Sequence, residues 1–137
     1  MKSFPLESEL HVAGQITADD IAAAATKGIK TIINVRPDGE KDGNYLAARD
    51  ASKIASEHGI NYCHIPVIPD QFTDQNVADF GKVLAELPGP VLAHCGTGKR
   101  VTVLWALSNP GGLPAKKIIE IAAAAGHDIS PLVPRFG

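Results

Sequence analysis

Cysteine is scarce in this chain: Cys63 and Cys95 are the only two in 137 residues. That excludes a disulfide-stapled scaffold, which uses several pairs in place of a large core. A Cys63–Cys95 pairing stays open as a redox event, not as a structural staple. Charge of one sign is also lacking. The formal net charge is -2, and no lysine or arginine run offers the footprint a nucleic acid requires. No stretch approaches the ~18 apolar residues of a membrane span. The opening Met1-Lys2-Ser3-Phe4-Pro5-Leu6-Glu7 has no signal-peptide run. The expectation is a cytoplasmic protein with reduced thiols and with neither nucleic acid nor membrane as partner. Aromatic residues make up only 5%, so no row of rings marks a substrate pocket.

What is present suits one globular domain over residues 1–137. Apolar residues are 45% and charged residues 20%, enough for a single sizeable core. Runs rich in β-branched residues alternate with alanine-rich helical patterns, the signature of βα repetition around a largely parallel sheet. Strands are expected at 10–14, 31–35, 62–67 and 91–93. Helices are expected at 21–27 behind a Thr17 cap, at 45–58, from a Thr73 cap to 87, at 100–107 and at 115–125. Residues from His127 onward read as a last turn and an irregular end. The fold class is therefore α/β, a three-layer sandwich on a central, mainly parallel sheet of four or five strands.

In such a sheet ligands gather beyond the carboxyl ends of the strands. Arg36, Asp70 and Cys95 all fall at such ends. Around the last of these, Val91-Leu92-Ala93-His94-Cys95-Gly96-Thr97-Gly98-Lys99-Arg100 runs from an apolar strand through two glycines into a helix. Loop amides and the helix dipole favour both a bound oxyanion and a thiolate at Cys95. Arg100 adds a planar fork for phosphate-like oxygens. A buried core cysteine would explain neither the glycines nor the arginine. A nucleotide-type phosphate loop fails on spacing, since Lys99 precedes Arg100 and not Ser or Thr. His11, His58, His64, His94 and His127 lack a compact spacing with the cysteines, so neither a metal site nor a cofactor is assigned.

Asn34-Val35-Arg36-Pro37-Asp38-Gly39-Glu40, Ile65-Pro66-Val67 and the Cys95 to Arg100 loop followed by Leu104-Trp105 together resemble a known family. It is the phosphatase-like domain of bacterial beta-lactamase hydrolase-like proteins, within the cysteine-dependent, dual-specificity and tyrosine-like phosphatases. The resemblance implies a dual-specificity-phosphatase-like fold and hydrolysis of phosphomonoesters, protein phosphotyrosine among them, without metal. Cys95 would be the nucleophile, Arg100 and the amides of Gly96, Thr97, Gly98 and Lys99 the oxyanion clamp, and Asp70 the general acid. Asp74 is the second candidate acid. His94 would tune the thiolate by hydrogen bonding, Arg36 would add an anion contact, and Lys99 would bias the mouth positive. The partner implied is a phosphorylated small molecule or phosphoprotein; the oligomeric state is open. Two departures stand out: four residues, not the usual five, separate Cys95 from Arg100, and Val101 replaces a hydroxyl residue that Thr97 or Thr102 would have to supply. The shorter ring has the length of a rhodanese loop. A sulfur transferase carrying a Cys95 persulfide is therefore the second reading, and a non-catalytic anion-binding module the third.

Overall fold

The computed structural model describes residues 1–40 and 45–135. Four segments become the parallel strands of the sheet: β2 (Leu10–Ala13), β3 (Thr31–Asn34), β4 (Asn61–His64) and β5 (Val91–His94), with a further strand, β1 (Ser3–Glu7), at one edge. The order is β1-β2-β5-β3-β4, with β1 antiparallel to β2 and every other pairing parallel. Full burial of β3 and β5 follows from their central positions, since both faces are covered.

Alternation along these strands divides the core into two halves. Ile32 and Leu92 face one side, where they meet Ile21 and Ala24 of α1 (Ala18–Thr26) and Ala51 and Ala55 of α2 (Ala48–Glu57). Ile33, Ala93 and Cys95 face the other side, against Phe80 of α3 (Asp74–Glu86), Val101 to Ala106 of α4 (Lys99–Ser108) and Ile118 of α5 (Ala115–Ala124). This is the expected three-layer α/β sandwich. Among the described residues no helix is long and apolar enough to cross a membrane.

Three details differ from the sequence reading. Strand β1 was hidden by Pro5, which belongs only at an edge or bulge; here the register shifts between Pro5 and Glu7. Helix α2 starts at Ala48 and not Tyr45, because Asp38 Oδ1 accepts the Ala48 N–H at 2.9 Å while the Tyr45 hydroxyl is tied to the preceding loop. A 3-10 helix, Ser130–Arg135, gives the tail regular structure. The sheet also closes the disulfide question. Cys63 and Ala93 both pair with Ile33, from opposite sides, so Cys63 lies two strand spacings, roughly 10 Å, from the β5 backbone. A disulfide needs Cα atoms within ~7 Å, and both thiols are free.

The helix termini carry the expected caps, with reciprocal capping boxes at Thr17/Asp20 and Thr73/Asn76. Along α3, Phe80 is the one fully buried side chain. Its replacement by alanine leaves a cavity and removes the helix's main anchor. Phe80→Ala is expected to cost about 3–5 kcal/mol, measured as a fall in the urea midpoint.

Candidate active site

Strand β5 delivers Cys95 to the end of the sheet, and the chain then turns tightly into α4. The turn depends on Gly98, which sits at φ +94° as the N-cap of that helix. A Cβ there would also press on Val12 Cγ2 at 3.2 Å and His127 Nε2 at 3.3 Å. Gly14 matters for a different reason: a Cβ would lie 2.9 Å from the Gly96 carbonyl oxygen, so β2 and the loop approach backbone to backbone. Gln15 N–H donates to that same carbonyl at 3.2 Å.

The thiol is wholly buried, and the Gly98 N–H donates to Cys95 Sγ at 3.0 Å. Among the described residues, the amides of Gly96, Thr97, Arg100 and Val101 have no hydrogen-bond partner. A loop whose donors are unspent at a helix N-terminus is suited to receive an anion.

Arg100 is oriented by its own hydrogen bonds. Its Nη1 donates to Glu40 Oε2 at 2.8 Å and to the Val67 carbonyl at 2.9 Å, and its Nη2 donates to Glu40 Oε1 at 2.9 Å. The end of the fork is thus occupied. The Nε–H and the second Nη2 hydrogen, which form the other bidentate edge, have no partner among the described residues. That edge lies near the loop, since a Cβ on Gly96 would be 3.5 Å from Nη2.

The same carboxylate holds Arg36, whose Nε donates to Glu40 Oε1 at 2.9 Å. Arg36 is 6% exposed, stacks 3.8 Å above the Tyr45 ring and donates to Gln15 Oε1. Tyr45 organises the loop, with its hydroxyl accepting from Glu40 N–H and donating to the Pro37 carbonyl. The Arg100 guanidinium, with help from Arg36, holds the Glu40 carboxyl below its ordinary range against the opposing effect of burial. Sequence reasoning misses Glu40, although it lies within the Arg36 motif; its spacing of four from Arg36 is the available signal. Arg36 itself is placed as a partner of this carboxylate, beside the loop.

Other expected members are arranged less directly. The His94 ring is buried, and among the described residues neither ring nitrogen has a hydrogen-bond partner, so the thiol receives no bond from it. The Thr102 hydroxyl is buried and donates to the Gly98 carbonyl at 2.9 Å, while Thr97 Oγ1 accepts from Lys99 N–H. Neither hydroxyl is bonded to Cys95. Lys99 is exposed at the rim. Asp70 lies in an exposed turn after β4, three residues beyond the carbonyl that holds Arg100, with φ +63°. Asp74 is exposed in the first turn of α3, where its charge suits the helix dipole.

Burial pushes the His94 imidazole down to about 4 from an ordinary 6.5; nearby His64 and Arg36 add to this, and the Cys95 backbone opposes it. Between those values the unfolded chain binds a proton that the folded chain excludes. Stability is then greatest above the unfolded value and falls as pH drops through the window. Wild type should lose on the order of 3 kcal/mol from this group between neutral pH and pH about 4, and His94→Asn should remove that slope from urea-unfolding free energies.

The phosphatase-like domain of beta-lactamase hydrolase-like proteins matches residues 4–112. A beta-lactamase hydrolase-like protein of Agrobacterium fabrum (strain C58) is 33% identical over 131 residues, 94% of this chain and 30% of that protein. This chain therefore spans about a third of the length of such a relative. A candidate phosphatase from Neisseria meningitidis Z2491 has a crystal structure with a TM-score of 0.84 and 30% identity, over 97% of this chain and 94% of that one. TpbA of P. aeruginosa, crystallised with pTyr, shares the fold with a TM-score of 0.66 over 92% of this chain and 75% of its own, at 17% identity. The match over most of the chain places it by descent as well as by shape: it belongs to the phosphatase-like domain family of the beta-lactamase hydrolase-like proteins.

Proposed function

We propose that this domain hydrolyses phosphomonoesters, protein phosphotyrosine included, through a cysteinyl-phosphate intermediate. The observation that carries the reading is the arrangement around Cys95: a sulfur already accepting a loop N–H, unspent amides beside it, and an arginine held at one edge by Glu40 with its other edge open. In this reaction the Cys95 thiolate attacks phosphorus as the bond to the leaving oxygen breaks. Arg100 and the loop amides bind the equatorial oxygens, whose charge they stabilise best in the transition state. Asp70 gives its proton to the leaving oxygen and then takes one from the water that splits the S–P bond, returning thiolate and inorganic phosphate. Asp70 follows the Arg100 anchor at Val67 by three residues, against seven for Asp74, which supports it over Asp74. The pTyr complex of TpbA, which shares the fold, supports aryl phosphates as the first substrates to try.

Glu40 acts here as a positioning residue. It fixes the plane of the Arg100 guanidinium so that the open edge meets the oxyanion. The buried sulfur lacks a bonded hydroxyl to ease its departure, so breakdown of the intermediate is expected to be the slower half-reaction.

The test measures aryl-phosphate hydrolysis and thiosulfate-dependent cyanolysis side by side. Cys95→Ser should abolish hydrolysis, and Arg100→Lys should lower it by roughly 10²-fold, the scale of one lost oxyanion donor. Glu40→Gln, which removes the carboxylate charge from three guanidinium bonds and turns one acceptor into a donor, should lower kcat by roughly tenfold or more. Asp70→Asn should depress turnover of phenyl phosphate far more than of nitrophenyl phosphate, because a good leaving group needs little protonation. Hydrolysis that survives Cys95→Ser would sink the mechanism. Cyanolysis with no hydrolysis would transfer the site to sulfur-transfer chemistry.

A further inference from the structure

A cavity of about 300 Å³ opens on the flank of the Cys95 loop. The backbone of Gly96, Thr97 and Gly98 forms its inner wall, so it shares that wall with the oxyanion site. Lys2, Phe4, Val12 and His127 close the other sides. Phe4 and Val12 are cross-strand partners in the β1/β2 register, which puts their side chains on one face of the sheet. Val12 is buried there, whereas Phe4 remains 40% exposed, one of the few large apolar side chains left in solvent. The segment is anchored, because the Met1 amino group pairs with Asp20 at 3.6 Å.

Among the described residues no carboxylate lines this cavity. Lys2 contributes a cation, and Lys99, beside His127, contributes another at the rim. Burial and the Lys99 charge hold the His127 imidazole below its ordinary range, leaving it a neutral ring able to donate one N–H. Asp128, next in the chain to His127, accepts hydrogen bonds from the backbone N–H and hydroxyl of Ser130 at 3.0 and 2.7 Å.

We infer that this cavity is a second-anion subsite: it receives a phosphate or carboxylate carried on the leaving group, a short span beyond the phosphate held by the Cys95 loop. The inference rests on the phosphomonoesterase reading and narrows its substrate class to esters bearing two anionic groups. Phe4 and Val12 would cover the apolar span between them, and Lys2, Lys99 and His127 would meet the far anion. Salt should weaken this preference, because the cations are solvent-facing.

The test uses α,ω-alkanediol bisphosphates of graded chain length, the monophosphates of the same diols, and phosphoalkanoic acids with a terminal carboxylate. Rates are measured with wild type, and affinities by calorimetry with Cys95→Ser. At one favoured span the doubly anionic compounds should gain roughly fivefold or more in kcat/KM and in affinity, the scale of one or two partly exposed ion pairs. Whether phosphate or carboxylate gains more identifies the far group. Lys2→Ala should erase the gain and Lys2→Glu should invert it, both leaving the monophosphates unchanged. Normal monophosphate turnover without any gain, or a gain that survives Lys2→Glu, would overturn the subsite and leave the phosphatase reading standing. Absence of all turnover would overturn that reading instead. Binding to Cys95→Ser then decides the subsite alone, a preference for two anions upholding it and equal affinities ending it.

Discussion

The Glu40 carboxylate accepts three guanidinium N–H groups, one from Arg36 and two from Arg100, and the geometry of the Cys95 site depends on that contact. An arginine side chain has several rotatable bonds, and at the rim of a cleft it would otherwise sample many orientations. With Nη1 spent on Glu40 and the Val67 carbonyl, only one bidentate edge remains for an oxyanion. Binding an anion then costs little reordering, which is the condition under which electrostatic stabilisation is most effective.

The contact is itself built from the neighbouring sequence. Pro37, Asp38 and Gly39 turn the chain after β3, the Tyr45 hydroxyl fastens both sides of the turn, and Asp38 holds the first amide of α2. Arg36 lies nearly buried between Tyr45 and Glu40, an arrangement that would be costly for an unpaired charge. Here the paired charge and the ring stack offset that cost, and the turn after β3 is tied through Glu40 to Arg100 at the end of the Cys95 loop. Glycines at positions 14 and 98 allow the approach from the other side, one by removing a clash and one by permitting a left-handed turn.

Most of this architecture was legible from residue patterns, because parallel βα units declare themselves by period and by turn chemistry. The apolar runs of β3 and β5, the caps at Thr17 and Thr73 and the glycine-rich exit after Cys95 each have a local cause, and local causes can be read in order along a chain. Strand β1 was not legible, since Pro5 argues against a strand and only the edge position excuses it. The partnership of Arg100 with Glu40 joins residues sixty positions apart, and nothing local to either marks it. His94 stands beside Cys95 in the chain, but strand alternation sends the two side chains to opposite faces, so the ring meets the Cys95 backbone and not the thiol. The hydroxyl of Thr102 was spent on the helix backbone for a similarly local reason.

If Glu40 is a strut, an oxyanion and the carboxylate occupy different edges of one guanidinium at the same time. A plug would behave differently, leaving Arg100 when an anion arrives. A crystal structure with tungstate or vanadate bound distinguishes the two most directly. The account predicts the oxyanion seated on the amides of the loop and on Nε and Nη2 of Arg100, with Glu40 still bonded to Nη1 and Nη2. An oxyanion that displaces Glu40 from the fork, or a loop that stays empty at saturating oxyanion, would contradict it.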